Sequence, residues 1–363
     1  MNKDYIYNMN FVREQSSKNL FYVVSLFAGG GGSSTGYRLA GGKVLAINEF
    51  VPAAQDAYKE NYPDTYIFPQ DIRDLKADDI LKKLNIKKGE LDILDGSPPC
   101  ASFSTAGLRE KGWGRIKKYS DKEQRTDDLF FEFSRILKEI QPKVFVAENV
   151  KGLTIGAAAN LLGGEQLDLF GFYKETIYQT LLDCGYQVRY KVINSKNYGV
   201  PQSRDRTIFI GVRNDISNNI TFPKHYTCND TIEHAISDIK FSGNVCSMGD
   251  TYKEYWEKTL PNESFYDMGK RLKIHTTGLT RIRLDKDKIC PTIIATPSLY
   301  HWNEPRTLTI EEVIRLSSFP SDYYLGDSTT RQWERVGRAV PPLMYKAVAE
   351  NIYNTILKNV SNE

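Results

Sequence analysis

Phe21-Tyr22-Val23-Val24-Ser25-Leu26-Phe27 runs straight into Ala28-Gly29-Gly30-Gly31-Gly32-Ser33-Ser34-Thr35-Gly36. The first part is β-branched and aromatic, which predicts a buried strand. The glycines predict a turn, and Tyr37-Arg38-Leu39-Ala40 suits a short helix. Strand, glycine turn and helix together make a nucleotide-type binding loop, because glycine lets backbone come close to a ligand. The spacing is not G-x-G-x-x-G, since the third glycine is missing, and a plain tight turn fits the stretch as well. A second strand, Lys43-Val44-Leu45-Ala46-Ile47, ends in Asn48-Glu49. An acidic residue about 20 positions past the glycines is placed to accept hydrogen bonds from ribose hydroxyls. Capping of the helix after Pro52 is the alternative. A third short strand, Tyr66-Ile67-Phe68, leads to Asp71-Ile72, where Asp71 either accepts from an adenine amino group or caps a helix.

The chain has 363 residues, enough for one large α/β domain and a smaller one. The net charge of +3 is too mild to argue for nucleic acid by itself, so local clusters must carry that case. Five cysteines without repeated spacing suggest no disulfide framework, and the lack of a C-x-x-C pair argues against structural zinc. The first twenty residues lack an apolar core and no apolar run reaches the length of a membrane span, so an intracellular protein with reduced thiols is expected.

Leu91-Asp92-Ile93-Leu94 reads as another buried strand, followed by Gly96-Ser97-Pro98-Pro99-Cys100-Ala101-Ser102-Phe103-Ser104. Two prolines make a stiff, extended exit with a cysteine at its tip. Loops at strand ends present reactive groups, although a lone cysteine there also reads as a small buried apolar residue. From Leu108 to Arg125, seven Lys/Arg, among them Arg109, Lys111 and Arg115, stand against three acids. This is either a loop able to close over a polyanion or a solvated surface loop. Asp128 to Glu139 has helical apolar spacing, and strand Val144-Phe145-Val146-Ala147 ends in Glu148-Asn149-Val150. Strand Tyr186–Asn194 and strand Ile208–Val212 flank Gln202-Ser203-Arg204-Asp205-Arg206-Thr207. Arg204 and Arg206 share one face of an extended stretch, either as a site for polar or anionic groups or as a surface pair. From about Asn214 to Pro305 the alternation of helix and strand stops, which predicts a second domain. There Arg281 and Arg283 alternate with apolar residues, as on a strand with one basic face suited to DNA contact. A helix over Thr309 to Leu316 and a last helix over Leu343 to Lys358 are expected.

Taken in order, these motifs resemble the DNA (cytosine-5) methyltransferases that use S-adenosylmethionine. The resemblance rests on Phe27-Ala28-Gly29-Gly30-Gly31-Gly32, Asn48-Glu49, Ser97-Pro98-Pro99-Cys100, Glu148-Asn149-Val150 and Gln202-Ser203-Arg204-Asp205-Arg206. It continues in Arg306-x-Leu308-Thr309-x-x-Glu312-x-x-Arg315-Leu316 and Gly337-Arg338-Ala339-Val340-Pro341. It implies a Rossmann-like, doubly wound, mostly parallel α/β sheet with a smaller, irregular target-recognition domain. The expected division is a lead-in over 1–19, a catalytic and cofactor domain over 20–213, recognition over 214–305, and a return to the catalytic domain over 306–363.

Carried over residue by residue, the resemblance implies Cys100 as nucleophile, Glu148 as the acid at the ring edge, and Arg204 and Arg206 as base-orienting or phosphate-facing groups. The cofactor site would comprise Phe27, Ala28, Gly29, Gly30, Gly31, Gly32, Glu49, Asp71, Ile72, Ser97, Pro99, Leu129, Arg338 and Ala339. DNA contacts would come from Ser102, Arg109, Lys111, Arg115, Arg281, Arg283 and Thr292. No metal is implied. The implied setting is a monomer on double-stranded DNA, in the cytoplasm near a bacterial or phage-encoded genome, beside a cognate restriction endonuclease. Two positions depart from the family pattern: Ala101 stands where Gln is usual, and Arg338 where Asn is usual. The competing readings are a transfer-RNA cytosine-5 methyltransferase of the same fold and a catalytically silent DNA-binding regulator.

Overall fold

A computed structural model describes residues 3–98, 116–119, 122–125, 128–151, 177–216, 219–226, 230–241, 243, 245–246 and 248–360. Pro99, Cys100, Ser102, Arg109, Lys111 and Arg115 lie outside the described residues.

The opening stretch forms β1 (Tyr22–Leu26) and then α2 (Gly32–Leu39), which begins inside the glycine run rather than after it. Gly31 supplies the left-handed φ of 75° from which that helix starts. Preceding them is α1 (Met9–Ser16). β1 sits inside a seven-stranded sheet with β2 (Lys43–Asn48), β3 (Tyr66–Phe68), β4 (Ile93–Gly96), β7 (Val144–Val150), β8 (Tyr186–Asn194) and β9 (Asp205–Arg213). The order is β3-β2-β1-β4-β7-β9-β8. All neighbours up to β7 are parallel, and β9 runs antiparallel to both β7 and β8. This is the doubly wound, mostly parallel α/β sheet expected. A separate hairpin, β5 (Ile116–Tyr119) with β6 (Lys122–Arg125), stands within the basic stretch that reads as a loop in sequence.

Both faces of the sheet are covered, which is why its strands read as unbroken apolar runs. Val23, Ile93, Val146 and Ile210 point into one buried cluster with α1, α2 and the helix Pro342–Ile352. Val24, Leu94, Phe145 and Phe209 point into the other, under α4 (Ala77–Leu84) and α5 (Leu129–Ile140). The last long helix returns onto α2, with the rings of Tyr37 and Tyr345 edge to face at 5.7 Å. Gly36 permits that approach: a Cβ there would sit 2.5 Å from the Tyr345 Cβ and 2.7 Å from the Pro342 carbonyl oxygen.

Residues 3–19 of the expected lead-in contribute to the main core. Asn8 caps α1 by accepting from the Phe11 N–H at 3.0 Å, and Tyr5, Met9 and Val12 are buried in the main core. Met9 and Val12, three apart, share one face of α1, and Tyr5 packs from the turn that precedes its cap. The Tyr5 hydroxyl donates to Asp230, and the Met9 N–H donates to Asp322 Oδ1 at 2.8 Å. Ile220, Ile232, Ala235 and Ile236 belong to the main core. The small body centres instead on Trp256, Phe265 and Tyr300, around the strands Glu263–Ser264, Ile282–Arg283 and Leu299–Tyr300. Among the described residues, no helix is long and apolar enough to cross a membrane.

Arg204 ties the two parts of the chain together. Its guanidinium is buried and donates to the Ile293 and Gly337 carbonyls, both at 2.8 Å. Burial, then the neighbouring charge of Arg206, weaken its hold on its proton. Beside it, Gln202 Nε2 donates to Ser317 Oγ at 3.0 Å and Thr292 Oγ1 donates to the Ser203 carbonyl at 2.8 Å. Arg204→Ala would strand two buried carbonyls, so urea unfolding should show a loss of about 3 kcal/mol. A loss below about 1 kcal/mol would refute the brace.

Candidate active site

The site forms because β9 enters the sheet where its parallel neighbours leave it. Val150 pairs with Arg206, and Glu148 with Ile208. Glu148 lies inside β7 rather than beyond its end, as does Arg206 at the start of β9. Their side chains therefore share one face of the sheet on a diagonal, where long side chains reach each other. Arg206 Nε lies 2.7 Å from Glu148 Oε1, and their side chains are only 13% and 10% exposed. Burial is the main influence on Arg206 and lowers its proton affinity, while Glu148 opposes that effect. A buried ion pair of this kind holds two charges in fixed register at some desolvation cost. Asn149 Nδ2 donates to the Pro98 carbonyl at 3.3 Å, tying the end of β7 to the start of the proline exit from β4.

At the neighbouring strand ends lies the expected cofactor side. Phe27 adopts φ 57°, a conformation costing a side-chain residue on the order of 1–2 kcal/mol. The turn is pinned by the Ala28 N–H donating to the Asn48 carbonyl at 3.1 Å and the Gly31 N–H to the Ala28 carbonyl at 2.9 Å. Glu49 is buried, and its two oxygens accept from the Gly29 and Val51 N–H groups, each at 2.8 Å. Burial raises its pKa against the pull of those donors. Both sequence readings of Glu49 meet here. It steadies the start of α3 (Pro52–Asn61) and keeps carboxylate lone pairs for further donors at the glycine turn. Asp71 caps the turn Ile72–Asp74 by accepting from the Arg73 N–H at 3.0 Å, and Arg73 also reaches Asp128 at 2.6 Å. Ile72 and Leu129 are closed inside the core.

Sequence reasoning missed the support beneath the glycines. The Tyr323 hydroxyl donates to the Gly30 carbonyl at 3.0 Å. Arg38 lies 3.8 Å from the centre of the Tyr62 ring and donates to Thr65 Oγ1 at 2.6 Å. On the far side, a Cβ on Gly32 would stand 2.1 Å from the Val340 carbonyl oxygen. Part of the demand for glycine therefore comes from the chain's own C-terminal segment, with Ala339 against the turn.

Several of the expected contact residues are already engaged within the chain. Arg204 is buried, with its guanidinium on the Ile293 and Gly337 carbonyls. The basic strand face is not free at Arg283. Its guanidinium donates to the Trp302 carbonyl at 2.8 Å and the Thr259 carbonyl at 2.8 Å, and lies 4.1 Å from the Trp256 ring centre. Arg281 donates to the Tyr300 hydroxyl at 2.8 Å and stacks over Tyr252. Alternation predicts the shared face but not that aromatic rings and carbonyls cover it. Arg338 does not crowd the glycine turn: its side chain is 42% exposed and pairs with Glu334 at 2.8 Å.

The sequence profile of the family described as C-5 cytosine-specific DNA methylase matches residues 21–354. Type II methyltransferase M1.HphI of Haemophilus parahaemolyticus is 32% identical over 96% of this chain and 91% of its own length. Type II methyltransferase M.Bsp6I of Bacillus sp. (strain RFL6) is 29% identical over 93% of this chain and 100% of its own. Among solved structures, Dnmt2 methyltransferase of S. pombe shares the fold with a TM-score of 0.62 at 14% identity, over 94% of this chain and 99% of that one. The profile spans nearly the whole chain, strand ends and C-terminal return included, and the chain belongs to the C-5 cytosine-specific DNA methylases.

Proposed function

We propose that this enzyme methylates C5 of a cytosine flipped out of duplex DNA, with S-adenosylmethionine as methyl donor and Cys100 as nucleophile. The observation that supports this most is the buried Arg206–Glu148 pair at the sheet edge, bonded through Asn149 to the strand exit that carries the Pro-Pro-Cys sequence. Glu49, buried with both oxygens held by backbone N–H groups, fits the ribose of the donor. When bound, the donor supplies an electrophilic methyl on a sulfonium.

Cytosine C5 is a poor nucleophile. The Cys100 thiolate adds to C6, forming an S–C bond and making C5 enamine-like. Glu148 serves as the acid at the ring edge: a proton or hydrogen bond delivered to N3 as the adduct forms draws electron density away from C6 and favours the addition. Arg206 offsets charge that develops at O2, as an oxyanion donor does. After C5 gains its methyl group, a base takes the C5 proton, the S–C bond breaks and the thiolate leaves. A base inside the duplex cannot be reached by these groups, so extrusion precedes chemistry. The named relatives are Type II methyltransferases, which supports a restriction-modification role beside a cognate endonuclease, acting on cytoplasmic DNA.

Bisulfite sequencing of DNA from cells expressing the protein should reveal conversion-resistant cytosines in one sequence context; uniform conversion would oppose the DNA reading. A duplex carrying 5-fluorocytosine in that context should form a denaturant-stable adduct, absent in Cys100→Ala; an adduct persisting in that variant would exclude Cys100. Glu49→Gln should weaken donor binding about tenfold to a hundredfold by calorimetry. Because burial raises the Glu49 pKa, parent affinity should fall as pH drops through the top of the carboxylate range, where the acceptor gains a proton. The Glu49→Gln affinity should stay flat over that range.

A further inference from the structure

The segment that precedes β1 lies ahead of residues 21–354, the span of the family profile. Its hydrogen bonds converge on one corner of the chain, residues 317–324, between the helices Ile310–Leu316 and Thr329–Arg338. The Tyr7 hydroxyl donates to the Ser318 carbonyl. The Ser321 N–H donates to the Tyr7 carbonyl at 2.7 Å, and the Met9 N–H donates to Asp322 Oδ1 at 2.8 Å. The segment is itself anchored, since Tyr5 is buried and its hydroxyl donates to Asp230.

The corner does not hold itself. It contains neither helix nor strand, and Ser318 adopts φ 57°, a conformation that a side chain disfavours. Its order comes from neighbours. Besides the N-terminal segment, Asn61 of α3 accepts from the Tyr324 N–H at 3.0 Å and donates to the Tyr324 carbonyl at 2.7 Å.

What the corner carries is Tyr323, one residue past the Asp322 that Met9 holds. The Tyr323 ring is buried against Phe319 and Tyr62, with ring centres 5.0 Å and 6.1 Å away. Its hydroxyl donates to the Gly30 carbonyl at 3.0 Å, and a Cβ on Gly31 would stand 2.3 Å from that hydroxyl. The glycine turn therefore rests directly on the phenol. Gly29, next to Gly30, is the residue whose N–H holds Glu49 at 2.8 Å. The height of the phenol thus bears on the carboxylate as well as on the turn.

We propose that the N-terminal segment sets donor affinity: Tyr7 and Met9 fix the corner, the corner fixes the Tyr323 hydroxyl under Gly30, and Asp322 and Tyr323 are positioning residues for the methyl donor. This rests on the reading of the glycine turn as the place of S-adenosylmethionine. A turn shaped before the ligand arrives binds more tightly than one that must be ordered by it.

Asp322→Ala removes the acceptor of the Met9 N–H, and Tyr323→Phe removes the hydroxyl under Gly30. Calorimetry with S-adenosylmethionine should show affinity reduced about threefold to tenfold in each. Single-turnover methyl transfer at saturating donor should stay within about twofold of the parent. Asp322→Asn keeps an oxygen for the Met9 N–H and should bind as the parent does. Because both residues act through one hydrogen bond, Asp322→Ala should add less than about twofold in the Tyr323→Phe background. An Asp322→Ala protein that is less stable in urea yet binds the donor as tightly as the parent would overturn the proposal. So would losses that multiply in the double variant, or an Asp322→Asn loss as large as that of Asp322→Ala. If Tyr323→Phe does not fold, Tyr7→Phe takes its place, and unchanged donor affinity there overturns the proposal. A parent protein that binds no S-adenosylmethionine would remove the donor reading and this proposal with it. A parent that binds, beside an Asp322→Ala protein that binds equally well, would remove the proposal alone.

Discussion

The reversal of one strand governs the candidate site. In a wholly parallel sheet, the residues that start a strand lie far from those that end its neighbour. β9 runs the other way, so its first residues meet the last ones of β7. That topology brings Arg206 to Glu148 at 2.7 Å although the two lie 58 positions apart in sequence. Burial then strengthens the demand for pairing, since an unpaired charge at this depth costs several kcal/mol. The ion pair is therefore both a product of the fold and a constraint on it. Shifting β9 by one residue would turn Arg206 to the opposite face.

The glycine-turn side follows the same economy of strand ends. Glu49 ends β2, the glycine turn ends β1, and Asp71 follows β3. Their polar groups are mostly engaged with backbone N–H groups and with one another. The turn itself is held from below by Tyr323, and it leaves no room for a Cβ on Gly32 against Val340. Such fixed surroundings are what a binding cradle needs, because geometry set before the ligand arrives is not paid for on binding.

Much of this was legible in the sequence. Apolar runs revealed the strands, since both sheet faces are buried, and motif order revealed the family resemblance. Glu148, Arg206 and Glu49 stand out in the sequence because each is a charge at the border of an apolar run. Strand limits were less legible: Glu148 reads as a loop residue because a charge ends the apolar run, yet its pairing with β9 keeps it in the sheet. Arg204 and Arg206 look alike in sequence, two positions apart on a strand. Only packing distinguishes them, one reaching the carbonyls of Ile293 and Gly337 and the other Glu148. The surroundings of Arg283 are hidden in the sequence for a similar reason, as the carbonyls it meets come from Thr259 and Trp302, distant in sequence.

The contact between the glycine turn and the chain's far end also bears on when the protein is made whole. Gly30 receives its hydrogen bond from Tyr323, and α2 its packing from Pro342 and Tyr345. During synthesis, the turn emerges from the ribosome some three hundred residues before these partners. Pairings of such long sequence separation form slowly, because loop closure precedes any gain from contact. A nascent chain can assemble β1 to β4 and still lack the support under its glycine turn. Completion of the turn thus becomes a late event in the folding of each molecule.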